Sequence, residues 1–375
     1  MFSPFRIFVV LGITFVVVLV VGLATIQKET PALPEIVLTP VAEAPQDEEK
    51  LIEEPEDKRL EADPPEEPAE QEKSIGEAVG TIAKTLTTPP PVLLSPLSLN
   101  ERVRASLVNI LCTTKTSGPL HSITGSGVFI DPRGVLLTNA HVAQYFLLKD
   151  YPSPDFFSCV IRTGSPAYPT YRARLLYLPP SWIRANAEKI DDDTPIGNGE
   201  HDYALLLVNE VIDEGAPLPN PFPYLPLLYS EVNEGDDVLV AGYPAGFLGG
   251  ITVAKELYAA SAPARIGELF TYASTTVDIF SVGGSIVAQQ GSSGGAVVDT
   301  NGNLVGLIVT STITGETSTR DLHAVATSYI ARDFENERGI PLPTLFSYNL
   351  EEQSTLFTNT TAPQLLVELI KVLAQ

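Results

Sequence analysis

The chain has 375 residues, and at about 150 residues per domain this allows two domains once any anchor and linker are set aside. Its 46 acidic side chains against 23 basic ones give a net charge of −23, which repels phosphate backbones and excludes nucleic acid as the main partner. Two cysteines cannot staple a small disulfide scaffold and show no zinc-ligand spacing, so no metal and no cofactor is expected, and the 44% of hydrophobic residues must hold the core by burial.

From Ile7 to Ile26 run twenty residues without a charge, dominated by Val, Ile, Leu and Phe. As a helix this stretch spans about 30 Å of hydrocarbon, so residues 1–28 are predicted to form a single-pass transmembrane anchor. Gly22, Leu23 and Ala24 offer a signal-peptide cleavage site, but such peptides carry an apolar region of only about 7 to 15 residues. Arg6 precedes the helix, whereas Lys28 behind it is offset by Glu29. The positive-inside rule therefore keeps the N-terminus cytoplasmic and sends everything after Lys28 to the extracytoplasmic side.

Residues 29–98 shift to prolines and acids. Glu43 to Glu72 alone holds 14 acidic and 3 basic residues, and twelve prolines lie between Pro31 and Pro96. Such a segment buries too little apolar surface to offset its ordering entropy, and a disordered, extended acidic linker is expected.

From Leu99 onward the chain breaks into β-rich runs bounded by Gly, Pro, Asn and Asp. Strands are predicted at Ser106 to Thr113, Gly127 to Ile130, Val135 to Asn139, Cys159 to Thr163, Tyr171 to Tyr177 and Tyr203 to Val208. After a proline-dense connection (Pro217 to Pro226), a second set is predicted at Asp237 to Gly242, Gly250 to Tyr258, Thr276 to Ile279, Gly295 to Val298, Leu304 to Val309 and Leu322 to Ala326. The fold class is all-β. Because closure removes exposed strand edges, two six-stranded antiparallel barrels are expected over residues 99–210 and 227–339, with the active site between them. An extra loop, Pro179 to Glu200, precedes the last strand of the first set; Asp191, Asp192 and Asp193 in it fail the EF-hand spacing because Pro195 interrupts them. Thr327 to Arg338 reads as a helix stopped by Gly339. Residues 340–375 form a tail with one amphipathic helix, opened by the capping-box pattern Thr361-Ala362-Pro363-Gln364, with a polar stripe of Gln364, Glu368, Lys371 and Gln375. Its apolar remainder is expected to pack on the barrel surface.

The strongest chemical motif is Gly291-Ser292-Ser293-Gly294-Gly295. Glycines on both sides of a serine free the backbone to turn two amides toward one point, so the N–H groups of Gly291 and Ser293 make a candidate oxyanion hole. A serine hydroxyl needs a base, and four histidines are available: His121, His141, His201 and His323. His141 ends a strand, in Leu137-Thr138-Asn139-Ala140-His141. Asp202 enters the apolar strand Tyr203 to Val208, where a buried carboxylate requires a hydrogen-bond donor such as an imidazole N–H.

Taken in order, Gly125-Ser126-Gly127-Val128-Phe129-Ile130, Leu137-Thr138-Asn139-Ala140-His141-Val142, Asp202-Tyr203-Ala204-Leu205 and Gly291-Ser292-Ser293-Gly294-Gly295 resemble the trypsin-like serine proteases, nearest their HtrA/Deg branch. The resemblance covers Leu99 to Gly339 and keeps the His, Asp, Ser order. It implies a serine endopeptidase with His141 as general base, Asp202 as its orienting carboxylate and Ser293 as nucleophile. It implies a substrate pocket with Val287 at its floor and Val309, Thr310 and Ser311 along one wall, where no acid would select Arg or Lys, so small or aliphatic residues are expected before the scissile bond. It also brings the strands of Cys112 and Cys159 together, so that these two residues could form a disulfide in an oxidising compartment. Protein or peptide substrates, among them unfolded envelope proteins, and a homo-oligomer are further implications. Departures are Ser292 where the family carries Asn or Asp, Ala296 where Pro is common, and no sequence after Gly339 for a PDZ domain. Two other classes stay open: a catalytically inactive protease-like binding or scaffolding module, and an α/β-hydrolase esterase, because Gly291 to Gly295 also fits G-x-S-x-G, with Asp299 and His323 following in that order.

Overall fold

The computed structural model describes residues 39–40, 95–116, 120–190, 199–213, 215–246, 248–272, 275–311 and 321–374. The expected membrane anchor, most of the acidic linker and the Asp191 to Asp193 loop lie outside them. Among the described residues no helix is long and apolar enough to cross a membrane.

A two-residue strand, β1 (Thr39–Pro40), comes first, and the first barrel follows. It consists of β2 (Leu107–Thr114), β3 (Ile123–Asp131), β4 (Val135–Thr138), β5 (Phe157–Thr163), β6 (Tyr168–Tyr177) and β7 (Ala204–Val211). These strands close in the order β2-β3-β4-β7-β6-β5. Runs of Val, Ile, Leu and Phe supply both the strand preference and the filling, with Val108, Ile110, Phe129, Leu136 and Leu205 fully buried. Cys112 on β2 stands directly opposite Cys159 on β5, and their sulfurs are bonded.

The second half departs from the expected closed six-stranded barrel. Its strands are β8 (Asp237–Gly242), β9 (Ala260–Arg265), β10 (Leu269–Thr271), β11 (Ile279–Ser281), β12 (Ala296–Asp299), β13 (Leu304–Ser311) and β14 (Leu322–Ala326). With β1 they form one curled eight-stranded sheet in the order β1-β10-β11-β14-β13-β12-β8-β9. The chain bends between β9 and β10 and changes partner there. The Ile266 amide donates to Asp236 O (2.9 Å), whereas Gly267 donates to Ser281 O (2.9 Å), so the two ends of the sheet meet through a bend and not through a ladder.

Local preference is overridden at one further point. The strand expected over Gly250 to Tyr258 is a helix, Gly250–Lys255. The carbonyls of Val253 and Ala254 near its C-terminal end accept from Nη1 of the buried Arg162 of β5 (2.9 and 3.0 Å), a cation in the position the helix dipole favours. Strand β9, by contrast, is Ala-rich and contains Pro263; it is an edge strand, where a missing N–H costs no ladder bond.

The helices around the barrels also extend the expected set. Pro96–Ser106 is helical and overlaps the end of what reads as linker: Ser95 caps it by accepting from the Ser98 amide (3.1 Å), Pro96 sits in the first turn, and Leu99 and Val103 are buried four residues apart. The insertion before β7 holds a short helix, Pro180–Asn186, that buries Trp182 and Ile183. Thr327–Arg338 ends at Gly339, which takes the left-handed φ of 70° that favours glycine. Beyond it lie three helices where one was expected: Leu342–Leu345, Leu350–Thr360 and Ala362–Leu373. The capping box does not form, because Thr361 is itself helical (φ −89°, ψ −45°) and donates back to Phe357 O (3.0 Å). The last helix buries Leu365 and Leu369 and leaves Gln364 and Lys371 exposed, packing on Leu350–Thr360 and Pro180–Asn186.

Candidate active site

Barrel one supplies His141 and Asp202. After β4 the chain turns into the short helix Ala140–Ala143, and Asn139 ties this corner down by donating from Nδ2 to the Asp202 carbonyl (2.8 Å). The His141 amide donates to Asp202 Oδ1 (3.0 Å), and its ring Nδ1 lies 2.7 Å from Oδ2. A carboxylate only accepts, so Nδ1 carries the proton and Nε2 presents its lone pair. The Asp202 side chain is 3% exposed and that of His141 14%. The carboxylate is thus shielded and the imidazole edge stays reachable.

The curled sheet supplies the Gly291–Gly295 loop, which runs straight into β12 and then β13. This is a strand and a hairpin, not the strand-to-helix elbow of an α/β-hydrolase. Asp299 there holds the hairpin turn through Asn301 and Asn303, while His323 pairs with Asp321 (3.0 Å), so neither serves the Ser293 loop.

Ser126 of β3 grips that loop from the first barrel. Its amide donates to Ser293 O (2.7 Å), its hydroxyl donates to Gly291 O (2.8 Å) and accepts from the Tyr243 amide (2.9 Å). Thr138 Oγ1 in turn donates to Ser126 O (2.7 Å). The approach is close enough to require glycine at position 294: φ is +84°, and a Cβ would lie 2.0 Å from the Ser126 carbonyl oxygen. In the sequence Ser126 stands out only as part of the Gly125 to Ile130 run that carries the family resemblance. Its hydroxyl beside a Gly-Ser-Gly run was the available signal, but no spacing rule links the two segments across the chain.

Among the described residues the amides of Gly291 and Ser293 make no backbone hydrogen bond. Ser293 Oγ donates to Val309 O (3.4 Å) and makes no hydrogen bond to His141. The neighbouring Ser292 is fully buried, and its hydroxyl meets no partner. Val287 and Val309 are buried near this loop; Thr310 and Ser311 continue β13, opposite His323 and Leu322 of β14. Among the described residues there is no cluster of His, Cys, Asp and Glu suited to a metal ion. Burial pushes the Tyr243 hydroxyl up to about 12, so it stays neutral and donates to Gly164 O (2.8 Å).

A closed antiparallel barrel facing a curled one, with an imidazole–carboxylate pair on the first and a glycine-flanked serine on the second, defines the trypsin-like peptidase class. Residues 125–307 of the chain match the family model described as the trypsin-like peptidase domain. No curated protein matches the chain. Similar solved structures include the Rv3671c protease from M. tuberculosis in its active form, 19% identical over 66% of this chain and 87% of that one with a TM-score of 0.40. Another is the HtrA-type protease AlgW with a tripeptide, 21% identical over 66% of this chain and 65% of that one with a TM-score of 0.41.

Proposed function

We propose that the protein is a serine endopeptidase working through an acyl-enzyme. The observation that carries this reading is the 2.7 Å contact of His141 Nδ1 with Asp202, which leaves Nε2 as an acceptor on the barrel that grips the Ser293 loop. In the first step Ser293 Oγ leaves the Val309 carbonyl and attacks the peptide carbonyl carbon while Nε2 takes its proton. The carbonyl electron pair moves to oxygen, where the Gly291 and Ser293 amides stabilise it. Collapse expels the amine, which receives the proton from His141. Water, deprotonated by the same Nε2, then cleaves the ester and restores Ser293. Asp202 holds the tautomer and balances the imidazolium throughout.

The buried apolar side chains of Val287 and Val309 favour small or aliphatic residues before the scissile bond. The HtrA-like resemblance, the uncharged Ile7 to Ile26 stretch and the acidic linker support a tethered, extracytoplasmic enzyme acting on unfolded envelope proteins, assembled as a homo-oligomer. The test of the reaction is a fluorophosphonate probe on the full chain. Stoichiometric labelling that disappears in Ser293→Ala is expected, together with cleavage of labelled casein; labelling that persists in that variant would overturn the assignment. A peptide library cleaved mainly after Arg or Lys would remove the pocket assignment alone.

A further inference from the structure

The corner that delivers Asp202 is a tight turn whose shape is set from behind. The Asp202 amide donates to Gly199 O (3.1 Å) and the Tyr203 amide to His201 O (2.9 Å), which makes Glu200 and His201 the central residues of the turn. His201 has φ +57°, a left-handed conformation that this turn position reserves for Gly or Asn. A histidine held there carries backbone strain, and something must hold it. Its ring Nδ1 lies 2.8 Å from Oδ1 of the buried Asp333, and its amide donates to the Tyr329 hydroxyl (3.2 Å). Both partners sit one helical turn apart on Thr327–Arg338. Gly199, at the other end of the turn, faces Tyr272, whose ring packs on Tyr329 (5.2 Å between centroids). In front, both carboxylate oxygens of Asp202 are taken by His141, so its aim depends on this turn.

We infer that His201, held by Asp333 and Tyr329, is a positioning residue through which the helix Thr327–Arg338 sets the orientation of the triad carboxylate. The inference rests on the triad reading above. The charged and titratable groups facing the His201 ring are Asp333, Glu337 and Tyr329 on that helix and Glu200 on its own turn. The close approach and charge of the Asp333 carboxylate raise the imidazole above its ordinary value against the opposing effect of burial. The ion pair therefore persists to a higher pH than a free histidine would allow and weakens once the ring loses its proton.

The experiment compares kcat, KM and the labelling rate of Ser293 by a fluorophosphonate on the full chain from about pH 5.5 to 9.5, with labelled casein as substrate. His201→Ala and Asp333→Asn are expected to lower kcat per folded molecule about tenfold with KM within about twofold. His201→Asn places an amide nitrogen where Nδ1 stood and tolerates the left-handed backbone, so it should recover most of that loss while removing the decline of the wild-type rate at alkaline pH. Tyr329→Phe, which deletes one hydroxyl, should lower kcat in the same direction and keeps the test open if Asp333→Asn does not fold. Unchanged kcat in Tyr329→Phe and His201→Ala, or an alkaline decline that persists in His201→Asn, would overturn the inference. Failure of the triad reading looks different: wild-type labelling would then be absent or would survive in Ser293→Ala.

Discussion

The adjacent serines 292 and 293 have opposite surroundings, and this separates their roles. Ser293 offers its hydroxyl at the junction of the two sheets, while Ser292 is buried with a hydroxyl that finds no partner. An unsatisfied buried hydroxyl costs about 1–3 kcal/mol, so Ser292→Ala should leave stability unchanged or raise it, and casein cleavage should stay within about twofold of wild type. Ser293→Ala should remove activity by at least about 10⁴-fold at unchanged melting temperature. Equal loss in both variants would show the register to be off by one residue. At Gly294 the constraint is steric: an added Cβ meets backbone oxygen at 2.0 Å with φ at +84°, so neither partner can yield. Gly294→Ala is expected to cost about 3 kcal/mol or more in urea unfolding, and a loss below about 1 kcal/mol would show that the loop can move away from Ser126.

Residue His201 also gives stability a pH dependence of definite sign. Its folded-state value is raised, chiefly by the Asp333 carboxylate 2.8 Å away, so its contribution is fully present below about pH 6.5, the ordinary histidine value. It is lost as pH rises through the higher folded-state value. The melting temperature of the wild type should therefore exceed that of Asp333→Asn most in mild acid, with the difference shrinking toward alkaline pH. A difference that grows with pH would contradict the assignment.

Among elements, the strands with aliphatic runs were legible and those without them were not. β8 and β14 have the expected ends because Val and Leu mark them, whereas β9 is built on Ala, Ser and Pro and is recognised only by its pairing with β8. The helix Gly250–Lys255 carries β-branched residues and no buried side chain; what fixes it is Arg162, distant in sequence. The helix at Pro96 was legible in principle through Ser95 and Pro96, but the surrounding prolines and acids concealed it within the linker. The β2–β5 disulfide makes a prediction at this scale. It closes a separation of 47 residues, for which chain entropy suggests about 4 kcal/mol. Thiol counting on the denatured, unreduced protein should find no free thiol, and Cys112→Ala with Cys159→Ala should lower the unfolding free energy by about 2–4 kcal/mol. Two free thiols would remove both the bridge and the argument it lends to an oxidising compartment.

For the whole molecule, the architecture was readable because the motif order places an imidazole, a carboxylate and a serine on consecutive β-rich halves. What sequence could not supply was the contact between the halves. Ser126 to Gly291, Arg162 to Val253 and His201 to Asp333 each join segments more than ninety residues apart, and nothing local in either partner announces the other. The curl of the second sheet belongs to the same class, since it depends on a bend at Ile266 to Glu268 with unremarkable composition.

The helix Leu350–Thr360 returns from the second sheet to the first barrel. Ser354, fully buried, donates to the Leu175 carbonyl of β6 (2.8 Å), and Phe357 packs edge-on against Tyr177. Synthesis runs the other way: β6 leaves the ribosome long before its cover does. The first barrel must therefore wait, with one face of β6 bare, until nearly two hundred further residues have emerged. A nascent chain stalled after Gly339 should be cleaved readily near β6 by added protease, and one extended through Leu373 should resist, which makes the barrel that carries His141 the later of the two to be completed.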